Sequence, residues 1–178
     1  EGETFPGAVY GPSVEAMMRD TRALQAGTSH MLGQNFARAA DIGFLDRDNV
    51  RKHPWGTSWG FSTRMVGATI MAHGDDSGLV LPPNVAPKQL VIVPIFRTEE
   101  DRVAVAGAIE TLERQLADVV TVSGPLRWTT DWREESPGFK FNHWELRGVP
   151  LRLEIGPRDV AAGQGVIVRR IDRAKETV

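Results

Sequence analysis

The sequence predicts two parts in series, a strand-and-helix region over residues 1–86 and a small α/β domain with a mixed sheet over residues 87–178. Three observations carry this expectation. After residue 88, apolar runs of strand type alternate with helical periodicity, the arrangement of an α/β sheet. In the first part, two strand-like stretches flank the turn signal Arg19-Asp20-Thr21. Between the parts, Pro82, Pro83 and Pro87 make a stiff extended connector, because proline fixes φ and restricts the residue before it. A chain of 178 residues can support one good core or two small ones.

Each element has its own warrant. Residues 8–18 mix β-branched and aromatic side chains and read as a strand, which a hairpin turn joins to a second strand over 22–26. Gly27-Thr-Ser-His is then expected to bend the chain. Leu32, Phe36 and Ala40, four residues apart, predict a helix over 32–40, with Thr28 or Ser29 available to cap it. Residues 42–50 form a short β segment ending at the Asp46-Arg-Asp-Asn turn. Residues 57–62 read as a strand in which Gly60 permits close approach to the backbone. A helix over 63–72 follows, capped by Ser62 or Thr63 and ended near His73-Gly74.

In the second part, Gln89-Leu-Val-Ile-Val-Pro-Ile has the uninterrupted apolar character of a buried strand. Val105, Ile109, Leu112 and Leu116 fall on one face of a helix over 99–116. Residues 119–122, 151–155 and 166–168 read as strands, and 139–146 as a short helix.

Composition narrows the function classes. No apolar run approaches the length needed to cross a bilayer. The opening Glu1-Gly-Glu-Thr has neither the basic nor the apolar region of a signal peptide, so a cytoplasmic setting is the expectation. Cysteine is absent, which excludes disulfides and thiolate metal sites, and four scattered histidines give no zinc pattern. The net charge of -2 argues against a general nucleic-acid coat. From Gly138 onward, however, eight Lys/Arg face five Asp/Glu, a local excess of +3 that can dock a polyanion.

Four constellations carry possible chemistry. Arg64 precedes an apolar run, where arginine ordinarily starts a helix or faces solvent. Its neighbours Gly60, Ser62 and Gly67 are small enough to admit a flat ligand, and a guanidinium fork suits phosphate or base stacking. Gln25, Thr28 and His30 combine amide, hydroxyl and imidazole, which can orient a small polar ligand or merely furnish a polar turn. His73-Gly-Asp-Asp contains metal-ligand types, but Gly74 and Gly78 bracket the acids as they would in a tight turn. Lys140, Arg147 and Arg152 lie among Phe139, Phe141 and Trp144, a pattern that can stack on and pair with unstacked bases or can be a core helix with snorkelling cations.

Two strings go further. Gln-Ala-Gly-Thr-Ser-His with Leu-Gly-Gln-Asn-Phe, beginning at Gln25, and Lys-Phe-Asn-His-Trp-Glu-Leu-Arg-Gly-Val-Pro-Leu-Arg with Gly-Pro-Arg-Asp, beginning at Lys140, resemble prolyl-tRNA synthetase in its archaeal/eukaryotic-like form. The resemblance runs over nearly the whole chain. It implies an α+β first part, the C-terminal half of a class II catalytic domain (residues 1–86) with an antiparallel sheet and packed helices. Residues 87–178 are then most of an anticodon-binding domain.

By that resemblance Arg64 is the motif 3 arginine and a catalytic residue. Gln25, Thr28, Ser62 and Arg64 line the ATP site, and His30, Trp59 and Gly60 border the proline pocket. Lys140, Glu145, Arg152 and Arg158 are candidates for reading the tRNA anticodon. The implied partners are proline, ATP with Mg2+ and tRNA(Pro), with a homodimeric parent and neither zinc nor membrane.

No string resembling motif 1 or motif 2 is present. The chain by itself is therefore expected not to activate proline. A non-catalytic tRNA-binding or regulatory paralogue is the alternative that the same strings allow.

Overall fold

The structure is a computed structural model that describes residues 4–178. The chain divides into two compact units, residues 1–72 and 73–178.

The first unit is built on an antiparallel three-stranded sheet. Strand β1 (Ser13–Met17) turns at residues 18–22 into β2 (Ala23–Gly33), which also pairs with β5 (Gly56–Gly60) on its other side. Thr21 takes up the left-handed conformation that this tight reversal requires (φ 65°). The expected bend at Gly27-Thr-Ser-His is not there, because β2 runs on through it for 11 residues. A register shift opposite Val14/Glu15 leaves Ala26 as an extra residue, so the local irregularity is a β-bulge inside a strand.

The helix expected over 32–40 shrinks to α1 (Asn35–Ala39) for the same reason. Pairing with β5 holds Leu32 and Gly33 in the sheet, and Thr28 and Ser29 are ladder residues that cap nothing. Strands β3 (Phe44–Leu45) and β4 (Arg51–Lys52) form a small hairpin around the expected Asp46 turn. Helix α2 (Arg64–His73) follows β5 as the pattern predicts.

The second unit opens with a hairpin, β6 (Gly74–Asp75) and β7 (Gly78–Leu79), so His73-Gly-Asp-Asp is a turn as its glycines suggest. Its main sheet contains β8 (Leu90–Pro94), β11 (Trp128–Thr130), β12 (Leu151–Ile155), β13 (Val166–Arg169) and β14 (Lys175–Thr177). The order is β11-β8-β12-β13-β14, parallel around β8 and antiparallel beyond β12, which is the mixed sheet expected. Helix α3 (Glu99–Leu116) has the expected bounds, and Thr98 caps it by accepting the Asp101 amide. The segment expected as one strand over 119–122 is a separate hairpin, β9 (Val120–Thr121) with β10 (Gly124–Pro125). Helices α4 (Pro137–Leu146) and α5 (Pro157–Ala162) complete the unit.

Strand β8 is buried throughout and divides the core. Leu90 and Ile92 join Val105 and Ile109 of α3 with Leu153 and Ile155 of β12 on one face. Val91 and Val93 join Val149, Phe141 and Trp144 on the other, under α4. The parallel strands are thus covered on both sides, as such strands require.

The unit boundary at Ala72/His73 falls ahead of the 86/87 division expected from the prolines. Three contacts draw the intervening segment into the second unit. Arg170 pairs through both terminal nitrogens with Asp75 at 2.8 and 2.6 Å. Gly78 and Gly148 let the β6–β7 hairpin and the end of α4 approach backbone to backbone, since a Cβ on Gly148 would lie 2.5 Å from the Leu79 carbonyl. Arg127 donates to the carbonyls of Pro83, Asn84 and Ala86, so the proline segment is tied to the sheet.

The packing sets a stability contrast on α3. Ile109 is 1% exposed and Val103 67% exposed. Ile109→Ala is expected to lower unfolding free energy by about 2–5 kcal/mol, and Val103→Ala by no more than about 0.5 kcal/mol. Urea denaturation followed by tryptophan fluorescence checks this, and equal shifts of the two midpoints would contradict the core assignment.

Candidate functional site

In the first unit, sheet register decides which expected residues meet. Thr28 pairs with Gly60 and His30 with Ser58, so these share one face of β2/β5. Ser29 pairs with Trp59, which puts the Trp59 side chain on the opposite face, 79% exposed. Trp59 and Gly60 can therefore both border a pocket on the Thr28 face only if Trp59 contributes backbone.

Arg64, the first residue of α2, reaches back to β2. Its Nη1 donates to Gln25 Oε1 at 3.1 Å and to the Gln25 carbonyl at 3.4 Å. The Gln25 amide nitrogen donates in turn to Thr28 Oγ1 at 2.8 Å. Ser62 Oγ accepts the Arg64 backbone N–H at 3.3 Å, holding the start of the helix. These groups line a cavity of about 350 Å³ with Gly60 and Phe61. A guanidinium beside a helix N-terminus favours an anion there, and a phosphate is the natural occupant.

Gln25 and Thr28 also line a second, polar cavity of about 760 Å³ with Ser13, Glu15 and His30. Among the described residues, His30 Nδ1 is sealed from solvent without a hydrogen-bond partner. Phe5 packs on its ring at 4.8 Å, and a Cβ on Gly11 would lie 2.5 Å from Nδ1. A buried polar atom left unpaired in this way marks a site of possible function. Glu15, directly opposite Gln25 in the ladder, escapes the sequence reading. Counting outward from the Asp20 turn would have found it.

The second unit separates its expected residues. Lys140 is 2% exposed, and its amine donates to the Asp131 carbonyl at 3.1 Å. Burial lowers its pKa. The expected basic surface over Lys140 is accordingly absent, because α4 turns this residue inward against the end of β11. Arg152 lies over the Phe141 ring at 4.3 Å and pairs with Glu154 at 2.9 Å. Glu145 accepts Arg173 at 3.1 Å.

Glu145 and Arg152 share a cavity of about 160 Å³ with Arg169, Arg173 and Lys175. Arg158, exposed at the second position of α5, lines another of about 500 Å³ with Phe96, Arg97 and Asp159. That cavity sits beyond the carboxyl ends of β8 and β12, where open α/β sheets commonly bind ligands.

Asp131 organises this end of the sheet and was also missed. Its carboxylate is almost wholly buried and accepts Arg133 through Nε at 2.8 Å and Nη2 at 2.6 Å, with Trp144 Nε1 at 2.7 Å. The Arg133 guanidinium holds the carboxyl far below the usual carboxylate range, outweighing burial. A short segment between strand and helix offers no periodicity from which to read such a hub. Among the described residues, no group of three or more His, Cys, Asp or Glu is placed to hold a metal, and no helix is long and apolar enough to cross a membrane.

With fold and sites in place, the comparisons define the class. Residues 89–178 match the family model described as an anticodon binding domain, and the chain belongs to that family. Similarity extends through the first unit as well. The chain is 54% identical over 171 residues to a "Proline--tRNA ligase" of Chloroflexus aurantiacus, covering 96% of this chain and 34% of the relative. It is 52% identical over 177 residues to the protein of that name from Roseiflexus sp. (99% and 36%). With that of Cenarchaeum symbiosum it shares 53% over 179 residues (100% and 37%). The resemblance expected from the two strings is borne out, and the chain spans about a third of the length of the curated relatives it matches.

Asp131 has a lower pKa folded than unfolded, so its stabilisation is complete above the ordinary value of 3.8 and is lost as pH falls below it. Asp131→Asn is expected to lower the melting temperature at neutral pH and to flatten the fall of stability in acid. Thermal unfolding by circular dichroism across that range checks this, and an unchanged acid limb would contradict the role given to the carboxylate.

Proposed function

We propose that this chain belongs to a proline–tRNA ligase, supplying part of the class II catalytic domain and the anticodon-binding domain. The observation that carries the reading is identity above 50% running through both units to proteins of that name. The reaction is ATP-dependent activation of proline to prolyl-adenylate and transfer of the prolyl group to tRNA(Pro). Homodimerisation and a cytoplasmic location belong to the same reading.

In the first unit, Gln25, Thr28, Ser62 and Arg64 take ATP, which arrives with Mg2+ as substrate. Proline carboxylate attacks the α-phosphate and pyrophosphate leaves in line; a terminal ribose hydroxyl of the tRNA, giving up its proton, then attacks the prolyl carbonyl and AMP leaves. The protein's share is positioning and charge stabilisation. Arg64 is the catalytic residue here: its guanidinium, oriented by Gln25, faces negative charge on the nucleotide. One such charge-assisted bond is worth about 1.5–3 kcal/mol. His30 and Gly60, with the Trp59 backbone, border the proline site.

In the second unit, Glu145, Arg152 and Arg158 are proposed to read the anticodon from the two cavities they line. A carboxylate on α4 and guanidinium groups on β12 and α5 suit the donor and acceptor edges of unstacked bases. Lys140 serves as a positioning residue that ties α4 to Asp131.

The isolated chain is expected to bind tRNA(Pro) but to give no proline-dependent ATP–pyrophosphate exchange. A chimaera in which this chain replaces the matching third of the Chloroflexus relative should restore exchange. Arg64→Ala in the chimaera should lower exchange by about 10²–10³-fold and leave tRNA binding unchanged. Exchange by the isolated chain would contradict this division of roles. A chimaera that binds tRNA without exchange would select a non-catalytic tRNA-binding module.

A further inference from the structure

Helix α4 is flanked by two arginines that neither cavity uses, Arg133 in the loop before it and Arg147 at its C-cap. Arg133 Nη1 donates to His143 Nδ1 at 3.3 Å, and Arg147 Nη1 donates to the same nitrogen at 3.0 Å. Nδ1 can accept both only without a proton, which leaves the proton on Nε2. Two guanidinium groups thus converge on one neutral acceptor, an arrangement that mutual repulsion opposes.

The nearby carboxylates balance only one of the two, since Asp131 pairs with Arg133 at 2.6 Å and leaves the charge of Arg147 unmatched. Asp131 is already engaged through both oxygens by Arg133 and by Trp144. Glu135 lies within electrostatic reach of Arg133 and Lys140. Among the described residues Arg147 forms no ion pair within 4.0 Å, and it is exposed. Phe139, half exposed, stacks on His143 at 6.3 Å and lies under the Arg133 guanidinium at 5.9 Å. Clustered cations with excess positive charge attract an anion, and an exposed aromatic among arginines suits nucleic acid better than a free ion.

We propose that Arg133, His143 and Arg147 form a phosphodiester-binding site on the exposed side of α4, gripping the RNA backbone outside the cavities of Glu145, Arg152 and Arg158. The inference rests on the tRNA-binding reading of this unit. It also implies proton linkage. Burial and the two guanidinium groups keep the His143 pKa below the ordinary 6.5, with Asp131 opposing weakly. A phosphate at the site offsets that repulsion, so RNA binding takes up a proton and tightens as pH falls from about 8 to about 6.

The test is fluorescence anisotropy of the full 178-residue chain with a stem-loop RNA bearing the proline anticodon, measured across salt concentrations at both pH values. Arg147→Gln, an exposed substitution, is expected to weaken binding about three- to tenfold near 0.1 M salt and to reduce the log–log salt slope by about one. His143→Asn keeps an acceptor but does not titrate, and should abolish the tightening at low pH. Unchanged affinity and slope in Arg147→Gln would overturn the site while leaving the tRNA reading intact. A low-pH response that persists in His143→Asn would overturn the assignment of His143. Absence of RNA binding by the unsubstituted chain would overturn the tRNA reading and the site with it.

Discussion

The second unit depends on one strand. Leu90–Pro94 is buried on both faces and hydrogen-bonded on both edges, to β11 and β12. Alternate side chains send Leu90 and Ile92 into the α3 side of the core and Val91 and Val93 into the α4 side. Backbone and side chain are both committed, so the strand can neither slip in register nor tilt without breaking two cores. Its ends inherit that rigidity. At the start, Gln89 Oε1 accepts the Arg127 amide, and Arg127 secures the proline segment. At the finish, the chain passes into Phe96 and Arg97 at the edge of the Arg158 cavity.

The same constraint explains why α4 can bear a functional surface. The Asp131 amide donates to the Ile92 carbonyl, which fixes the loop after β11 to the central strand. The Asp131 carboxylate and carbonyl then hold Arg133, Trp144 and Lys140. A buried ion pair of this kind contributes little net stability, because desolvation offsets attraction, but losing one partner leaves an uncompensated charge. Its consequence here is orientation: the inward face of α4 is locked, and His143 and Arg147 are left on the outside.

Long periodic elements were legible in the sequence. Helix α3 could be read because its apolar spacing repeats over 18 residues, and strand β8 because it is an uninterrupted apolar run. Strand β11 and strand β14 were not, since three residues at a sheet edge have no period of their own. Tertiary pairing overrode local signals in β2, where β5 draws Leu32 and Gly33 away from a helical pattern. In the candidate sites, residue identity was more legible than accessibility. Gln25, Thr28 and Arg64 do converge, whereas Lys140 looks like surface in a basic aromatic string and is buried. Which side of α4 faces the sheet depends on Asp131, nine residues earlier, and no local pattern encodes that contact.

The most direct test of the account is residue-resolved amide chemical-shift mapping of the chain during titration with the proline-anticodon stem-loop. Shifts confined to the second unit, on α4 around His143 and Arg147 and around Arg152 and Arg158, with β8 unperturbed, are the predicted result. Shifts concentrated at Gln25, Thr28 and Arg64, or a general loss of the β8 signals, would contradict a rigid sheet presenting its RNA-binding surface from one strand.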